Sequence, residues 1–429
     1  MNQLILLLLT FILPLAIGVP IAISIGIYSI IGLIIAKIPL TYAVQTAYSS
    51  IDSFALIAIP MFMLSGALMG KSGLTEDLIE FSSTLVGKAI GGLAAVTIVA
   101  CTLFGAISGS GPATTAAIGT LLIPGMVKQK YDKAFAGAIT ACSGGIAVVI
   151  PPSILMIMYG IIAEQSITAL FIAGIIPGLI LALFLYLAVY FVSKKRGYAA
   201  IIQERNIKTI IKAGLKAKWA LLAPIIILGG IYSGVFTVTE ASIVSVLYAL
   251  FVGIFAYKRL IWQKIADSLI YSIRIGGTVM IILITGRLLG RLITMNQVPQ
   301  AVSQALLSFT QSPIILILLI DALLIFVGMW MESITQIIIF TPILLPVLIN
   351  LGVNPIQFGV MFTIACEIGY ETPPLGVNLF VASELTNVSI EGITKEALIF
   401  AFAEILALII ISLVPQITLF LPRLVGLTN

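Results

Sequence analysis

The sequence predicts an all-α polytopic membrane protein built from two inverted-topology repeats, and three observations carry that prediction. The 429 residues are 60% hydrophobic and only 9% charged, with a mean hydropathy of +1.21; a soluble domain carries roughly 25% charged residues. The chain divides into apolar segments near the ~20 residues that cross a bilayer core as a helix. Finally, marker residues recur in register: Pro124 and Pro346, Gly137 and Gly359, Phe104 and Phe326, and the pairs Pro151-Pro152 and Pro373-Pro374 all stand 222 residues apart. Matching helix breakers at one offset mark a duplication.

The first repeat spans 1–193. Apolar runs at 4–17 and 21–36, split by Gly18-Val19-Pro20, and a third at 55–69 extended upstream give scaffold spans over 4–70. Residues 72–88 mix charge and apolarity, as an interfacial amphipathic arm does. Two legs, within 90–127, flank Ser108-Gly109-Ser110-Gly111 and read as a helical hairpin. A helix at 134–163 is interrupted by Gly144-Gly145 and Pro151-Pro152, and 170–192 is an unbroken span. A basic cytoplasmic linker, 194–218, holds eight Lys or Arg residues and one Glu. The second repeat, 219–421, follows the same order: scaffold spans over 219–294 with an arm near Lys264, a hairpin at 313–349, a broken helix at 356–385 interrupted by Pro373-Pro374, and a span at 397–417.

If each hairpin leaves by the face it entered, each half has five crossings, and an odd number inverts the second half. With the N-terminus outside, 17 of the 22 Lys and Arg residues fall on inner segments, as positive-inside orientation requires. Both termini are therefore expected in the periplasm. The net charge of +5 reflects this orientation rather than nucleic-acid binding. Met1-Asn2-Gln3 lacks the basic region of a cleavable signal, so insertion of the chain whole is expected.

Enzyme templates are missing. There is no histidine, no phosphate-binding Gly-Lys loop, and Cys101, Cys142 and Cys366 lie singly in apolar stretches. The chemistry sits where helices break, because broken backbone at membrane depth persists only where protein, water or ligand satisfies it. At the first tip, Gly109 and Gly111 allow close backbone approach, and Pro112 suits the first turn of the returning helix. The amide end of that helix favours an anion. At the two interrupted helices, around Gly144, Pro151-Pro152, Pro373-Pro374 and Gly376, carbonyls freed before each proline pair suit a small cation such as sodium. Charged groups expected at membrane depth are Glu240, Arg287, Arg291, Asp321, Glu332, Glu367, Glu371 and Glu404. Glu332, at the second tip, is placed for a substrate hydroxyl or amine. Arg287 and Arg291 read as snorkelling or partner-contacting residues.

Gly-Ser-Gly-Pro-Ala-Thr at 109–114, Ile-Pro-Pro-Ser at 150–153 and Gly-Tyr-Glu-Thr-Pro-Pro-Leu-Gly at 369–376 resemble the large membrane subunit of TRAP transporters, of the ion transporter superfamily of elevator carriers. The resemblance covers essentially the whole chain and leans toward the sialic acid branch. It implies an elevator-type carrier in the bacterial inner membrane, sodium-coupled uptake of an organic acid, a small four-helix membrane subunit, and a periplasmic substrate-binding protein. Under it, Ser108, Ser110, Ser153 and Glu332 are expected to contact substrate. Sodium is expected at Ser108, Gly145, Val148 and Pro151, and again at Gly328, Gly369 and Thr372. A carrier that works without a binding protein, and a non-transporting scaffold subunit, are the competing readings.

Overall fold

Lipid offers no partner for a bare amide or carbonyl, so apolar segments pair their backbone groups within themselves. In the computed structural model, which describes residues 2–198, 206–310 and 312–428, the outcome is helices joined by short turns, with no strand among the described residues. The first half runs α1 (Asn2–Ala16), α2 (Ile21–Ile35), α3 (Thr41–Ile51), α4 (Ala58–Ser72), α5 (Leu74–Val86), α6 (Gly92–Ser108), α7 (Gly111–Lys128), α8 (Lys133–Gly145), α9 (Ile154–Ile162) and α10 (Ile167–Arg196). The second runs α11 (Ile207–Lys216), α12 (Lys218–Tyr232), α13 (Val238–Phe251), α14 (Trp262–Met295), α15 (Val298–Phe309), α16 (Pro313–Gly328), α17 (Ser333–Asn350), α18 (Pro355–Tyr370), α19 (Val377–Thr386), α20 (Ile390–Leu413) and α21 (Pro415–Leu424). Six helices are long and apolar enough to cross a membrane, or seven if the pair α11–α12, bent by 73°, counts as one.

The helices sort into two packed groups. In one, α4 lies against α13 and α14, and α14 also touches α2 and α3. A hydroxyl pair, Ser65 to Ser245 at 2.5 Å, joins α4 to α13. In the other group, α8 packs on α6, α7, α19 and α20, while α18 packs on α16, α17 and α20. Aromatic contacts tie the halves together here: Phe135 meets Phe400 at 5.6 Å between ring centres, and Tyr159 meets Phe358 at 5.9 Å. The Tyr159 hydroxyl also donates to the Pro355 carbonyl at 2.7 Å. Between the groups, α14 meets α17 and α4 meets α6. Exposed Ile23, Ile30 and Ile34 on α2, and Ile225 on α12, form an apolar exterior suited to lipid.

Several expected elements differ. The third span of the first half is three pieces, α3, a short 3₁₀ turn at Phe54–Ile57 and α4, because the chain leaves helical geometry at Asp52 and Ser53. The arm expected near Lys264 is instead the first turn of α14, which runs on because residues 262–295 contain no proline. The short helix after it, α15, is the one 222 residues beyond α5 and is the second amphipathic element. The basic linker is partly helical: α10 reaches Arg196 and α11 occupies 207–216, while 199–205 lie outside the described residues. Glu240, expected at membrane depth, is exposed and closes a capping box with Thr237 at the start of α13.

Candidate functional site at two hairpin tips and two helix breaks

The first tip turns through Gly109, whose φ of +60° is a left-handed conformation that glycine adopts without penalty. Ser108 bridges the two legs, its Oγ 2.7 Å from Thr114 Oγ1. Ser110 occupies the cap position of α7 but makes no capping bond, so its hydroxyl is left for other partners. At the second tip, Glu332 caps α17 by accepting from the Thr335 amide at 2.9 Å, and the Tyr370 hydroxyl donates to its other oxygen at 3.1 Å. The residue expected as a substrate contact therefore also holds the helix start together.

The first break follows α8 through a 3₁₀ turn, Ile146–Val148, to α9. Ser153 is fully buried; it donates to the Val148 carbonyl and accepts from the Met156 amide. It caps α9, and it is absent from the cavity wall described below. The second break, Glu371 to Gly376, is held by the Thr372 hydroxyl donating to Ile368 O at 2.8 Å and by the Leu375 amide donating to Met329 O at 2.9 Å. Both Pro-Pro bonds are cis.

Each hairpin packs on the break of its own half. A Cβ on Gly105 would lie 2.6 Å from the Ala147 Cα, and one on Gly369 would lie 2.6 Å from the Gly328 Cα. The structure thus brings Gly328, Gly369 and Thr372 into one neighbourhood. Likewise Gly109 abuts the Pro152 carbonyl, which sets the first tip against the first break. Gly145 instead faces the Glu367 and Glu371 side chains across the two halves.

All four elements open onto one cavity of about 270 Å³. Its wall includes Gly109, Ser110, Gly111, Pro112, Val148, Glu332, Glu367 and Tyr370, with Met63, Tyr271 and Ile275 from the other helix group. Four helix starts reach this wall: Gly111 and Pro112 of α7, Ile154 of α9, Ser333 and Ile334 of α17, and Val377 of α19. Two of these starts are already capped, α9 by Ser153 and α17 by the Glu332 carboxylate, whereas α7 and α19 have no side-chain cap and present unpaired amides and the positive end of a helix dipole, which favour an anion. The wall carries two carboxylates and no lysine or arginine. The buried Ser333 Oγ and Glu367 Oε2 have no hydrogen-bond partner among the described residues. A larger cleft of about 470 Å³ between α5, α6 and α10 is almost wholly apolar and bordered by exposed Leu179 and Leu183, so lipid fits it better than a polar solute.

Sequence reasoning did not single out Thr114, Ser333, Tyr370 or Asn378. Asn378 donates to Glu367 Oε1 at 2.6 Å and to Ala141 O at 3.3 Å, so it fixes a carboxylate against α8. A lone amide at the start of an apolar half-helix was the available signal. Ser333 stands beside Glu332 and was passed over for its charged neighbour.

Comparison with known proteins agrees with this geometry. Two solved transporters share the fold: Alcanivorax borkumensis YdaH, with a TM-score of 0.61 at 12% identity over 91% of this chain and 90% of that one, and Neisseria gonorrhoeae MtrF, with 0.54 at 13% over 86% and 83%. Among curated relatives, an isethionate TRAP transporter permease of Oleidesulfovibrio alaskensis is 42% identical over 96% of this chain, which spans 65% of that relative's length. A C4-dicarboxylate TRAP large permease of Pseudomonas aeruginosa is 37% identical over 89% of each chain. A sialic acid TRAP large permease of Vibrio cholerae is 36% identical over 95% of each. Residues 8–417 match the family described as the DctM component of tripartite ATP-independent periplasmic transporters, and the chain belongs to that family of multi-pass inner-membrane permeases.

Proposed function

We propose that this permease couples inward sodium flow to the uptake of a small organic acid. The observation that carries the reading is the convergence on one cavity of two helix starts without side-chain caps, α7 and α19, since they supply positive potential for an acid group without a basic side chain. Sodium is assigned to two sets, Ser108, Gly145, Val148 and Pro151, and Gly328, Gly369 and Thr372. Carbonyl oxygens at the breaks and the hydroxyls of Ser108 and Thr372 suit a hard cation. The carboxylates of Glu332 and Glu367 add negative potential that makes cation and anion binding mutually supportive.

The substrates named for the three relatives are all organic acids, which supports the class. Ser110, Ser333 and Glu332 offer partners for hydroxyl groups, and on that ground N-acetylneuraminate is the substrate we put first. A periplasmic binding protein delivers it, and a small four-helix membrane subunit completes the permease. The two halves insert in opposite orientations with both termini periplasmic. The hairpins and broken helices travel as one body against α1–α4 and α12–α14, since charged cargo crosses more cheaply inside a protein-lined site than past lipid.

Uptake into proteoliposomes tests this. The permease is reconstituted with its small subunit and candidate binding proteins, and N-acetylneuraminate, succinate and isethionate are offered with and without an inward sodium gradient. Accumulation of one acid that needs both sodium and a binding protein is expected. Accumulation without added binding protein would favour an autonomous carrier, and accumulation indifferent to sodium would remove the ion assignment. Cysteines placed at Gln3 and Thr428 should react with an impermeant reagent from outside intact cells, and one at Lys212 should not.

A further inference from the structure

A second polar cleft, of about 280 Å³, lies between α14, α17 and the turn after α9. Its charged residues are Arg287, Arg291 and Glu164. The two arginines stand four residues apart on α14, so their side chains share one face. Arg287 donates one bond, to the Ile161 carbonyl at 3.3 Å, and Arg291 has no hydrogen-bond or ion-pair partner among the described residues. Glu164 lines the cleft but forms no ion pair with either arginine, so the cleft carries a net charge of +1 and most of its guanidinium donors are unused. Arginines that merely snorkel extend along lipid; these two line a concavity closed by α17.

Two further facts give the cleft its place. Arg287 is 25 residues beyond Trp262 on one unbroken helix, about 38 Å at 1.5 Å per residue. That exceeds a hydrocarbon core of ~30 Å, so the arginines sit toward the membrane face opposite Trp262. The cleft and the central cavity share two walls, α14 and α17, their lining residues eleven positions (about 17 Å) apart on α14. Ile275 of α14 and Ile334 of α17 line the cavity, while Gly286 and Ile338 on the same helices line the cleft. Along α17 that step is four residues, about 6 Å. In the cleft wall Gly286 packs directly on Ile338, where a Cβ would overlap the isoleucine side chain. The central cavity has helix starts but no guanidinium; the cleft has guanidiniums at its threshold.

We propose that this cleft is an outer docking site for the acid group of the transported anion, a carboxylate or sulfonate held by Arg287 and Arg291 before it passes the Gly286–Ile338 contact into the central cavity. The proposal rests on the organic-acid reading above. Paired guanidiniums match the two-oxygen edge of such a group and hold it through charge-assisted hydrogen bonds.

Arginine labelling tests the site without requiring transport. The full chain, purified in lipid-free detergent, is treated with phenylglyoxal and the modified peptides are counted by mass spectrometry. Millimolar succinate, isethionate or N-acetylneuraminate should slow modification of Arg287 and Arg291 about fivefold or more, while Arg274 on the same helix reacts at its own rate. In uptake, Arg287→Gln with Arg291→Gln should raise the half-saturating substrate concentration about tenfold or more with a maximal rate within about twofold of wild type. Lysine at both positions should restore part of the loss. Failure of all three acids to protect overturns the proposal, as does protection only by anionic lipid vesicles or only by the binding protein. Protection in the labelling assay with no uptake of any acid would keep the site and remove the transport reading instead.

Discussion

Gly145 and Glu367 stand 222 residues apart, at matching points of α8 and α18, and they touch: a Cβ on Gly145 would come within 2.7 Å of the Glu367 Cγ. In sequence, the other buried acids of the second half likewise stand where the first half has apolar residues. Positions 222 before Asp321, Glu371 and Glu404 hold Val99, Val149 and Ala182. All three acids are buried, with exposures of 3%, 1% and 4%. Two carboxylates facing each other across equivalent breaks would add repulsion to the cost of desolvation. A carboxylate facing a glycine avoids the repulsion and gains the room. The halves therefore share their backbone breaks, while the buried acids gather in the second half, where Glu371 and Glu404 lie within 4.8 Å of each other beside Cys142.

The largest effect should come from removing that space. Gly145→Val pushes a branched side chain into Glu371 and Glu367, and overpacking of this kind costs about 1–3 kcal/mol. The melting temperature of the purified permease should fall and uptake should be lost, with partial recovery when Glu367→Ala is added. A Gly145→Val protein that melts like wild type would break the argument that the halves are complementary here.

The two tips should separate next. Glu332→Ala removes a helix cap and the partner of Tyr370, so stability should drop by about 1–2 kcal/mol along with uptake. Ser110→Ala removes no capping bond and should leave the melting curve within about 0.5 kcal/mol of wild type while weakening substrate use. Equal destabilisation by both would mean that the tips are held alike. Smaller still, Ser108→Ala and Thr372→Val each remove one hydroxyl, worth about 1 kcal/mol, and should raise the half-saturating sodium concentration about fivefold. Substrate affinity should change less. Unaltered sodium dependence in both would detach the ion sites from the breaks. The smallest effect belongs to Gly277→Ala: nothing lies within 4 Å of the added methyl, and helix propensity should raise stability by about 0.5–1 kcal/mol.

How much of this was legible depended on the kind of signal. Helix breaks announce themselves, since glycine and proline act on the backbone wherever they stand: Gly109 turns the chain between α6 and α7, and each Pro-Pro pair stands between two helices. Caps were only half visible. Ser153 and Glu332 look like free polar groups in a string of letters, but their oxygens are committed to amides one turn on. Cross-half contacts were not visible at all. Nothing local to Asn378 says that it faces Glu367 and Ala141, because that pairing exists only once α19 lies against α8. The second arm was misplaced although a local signal was there: α14 and α15 meet at Asn296 and Gln297, and Pro299 stands in the first turn of α15.

The length of α14 has a physical implication of its own. Thirty-four residues at 1.5 Å make a rod of about 51 Å, against a hydrocarbon slab of ~30 Å. An exposed tryptophan anchors one end, and arginines mark the last turns of the other. Such a rod behaves as a gauge of the bilayer, standing more upright where the sheet thickens and leaning further where it thins. Because the same rod forms one wall of both the cavity and the second cleft, each change in lean shifts those two walls together. Varying acyl-chain length in reconstituted bilayers should therefore change the lean of α14 and, with it, both of these walls.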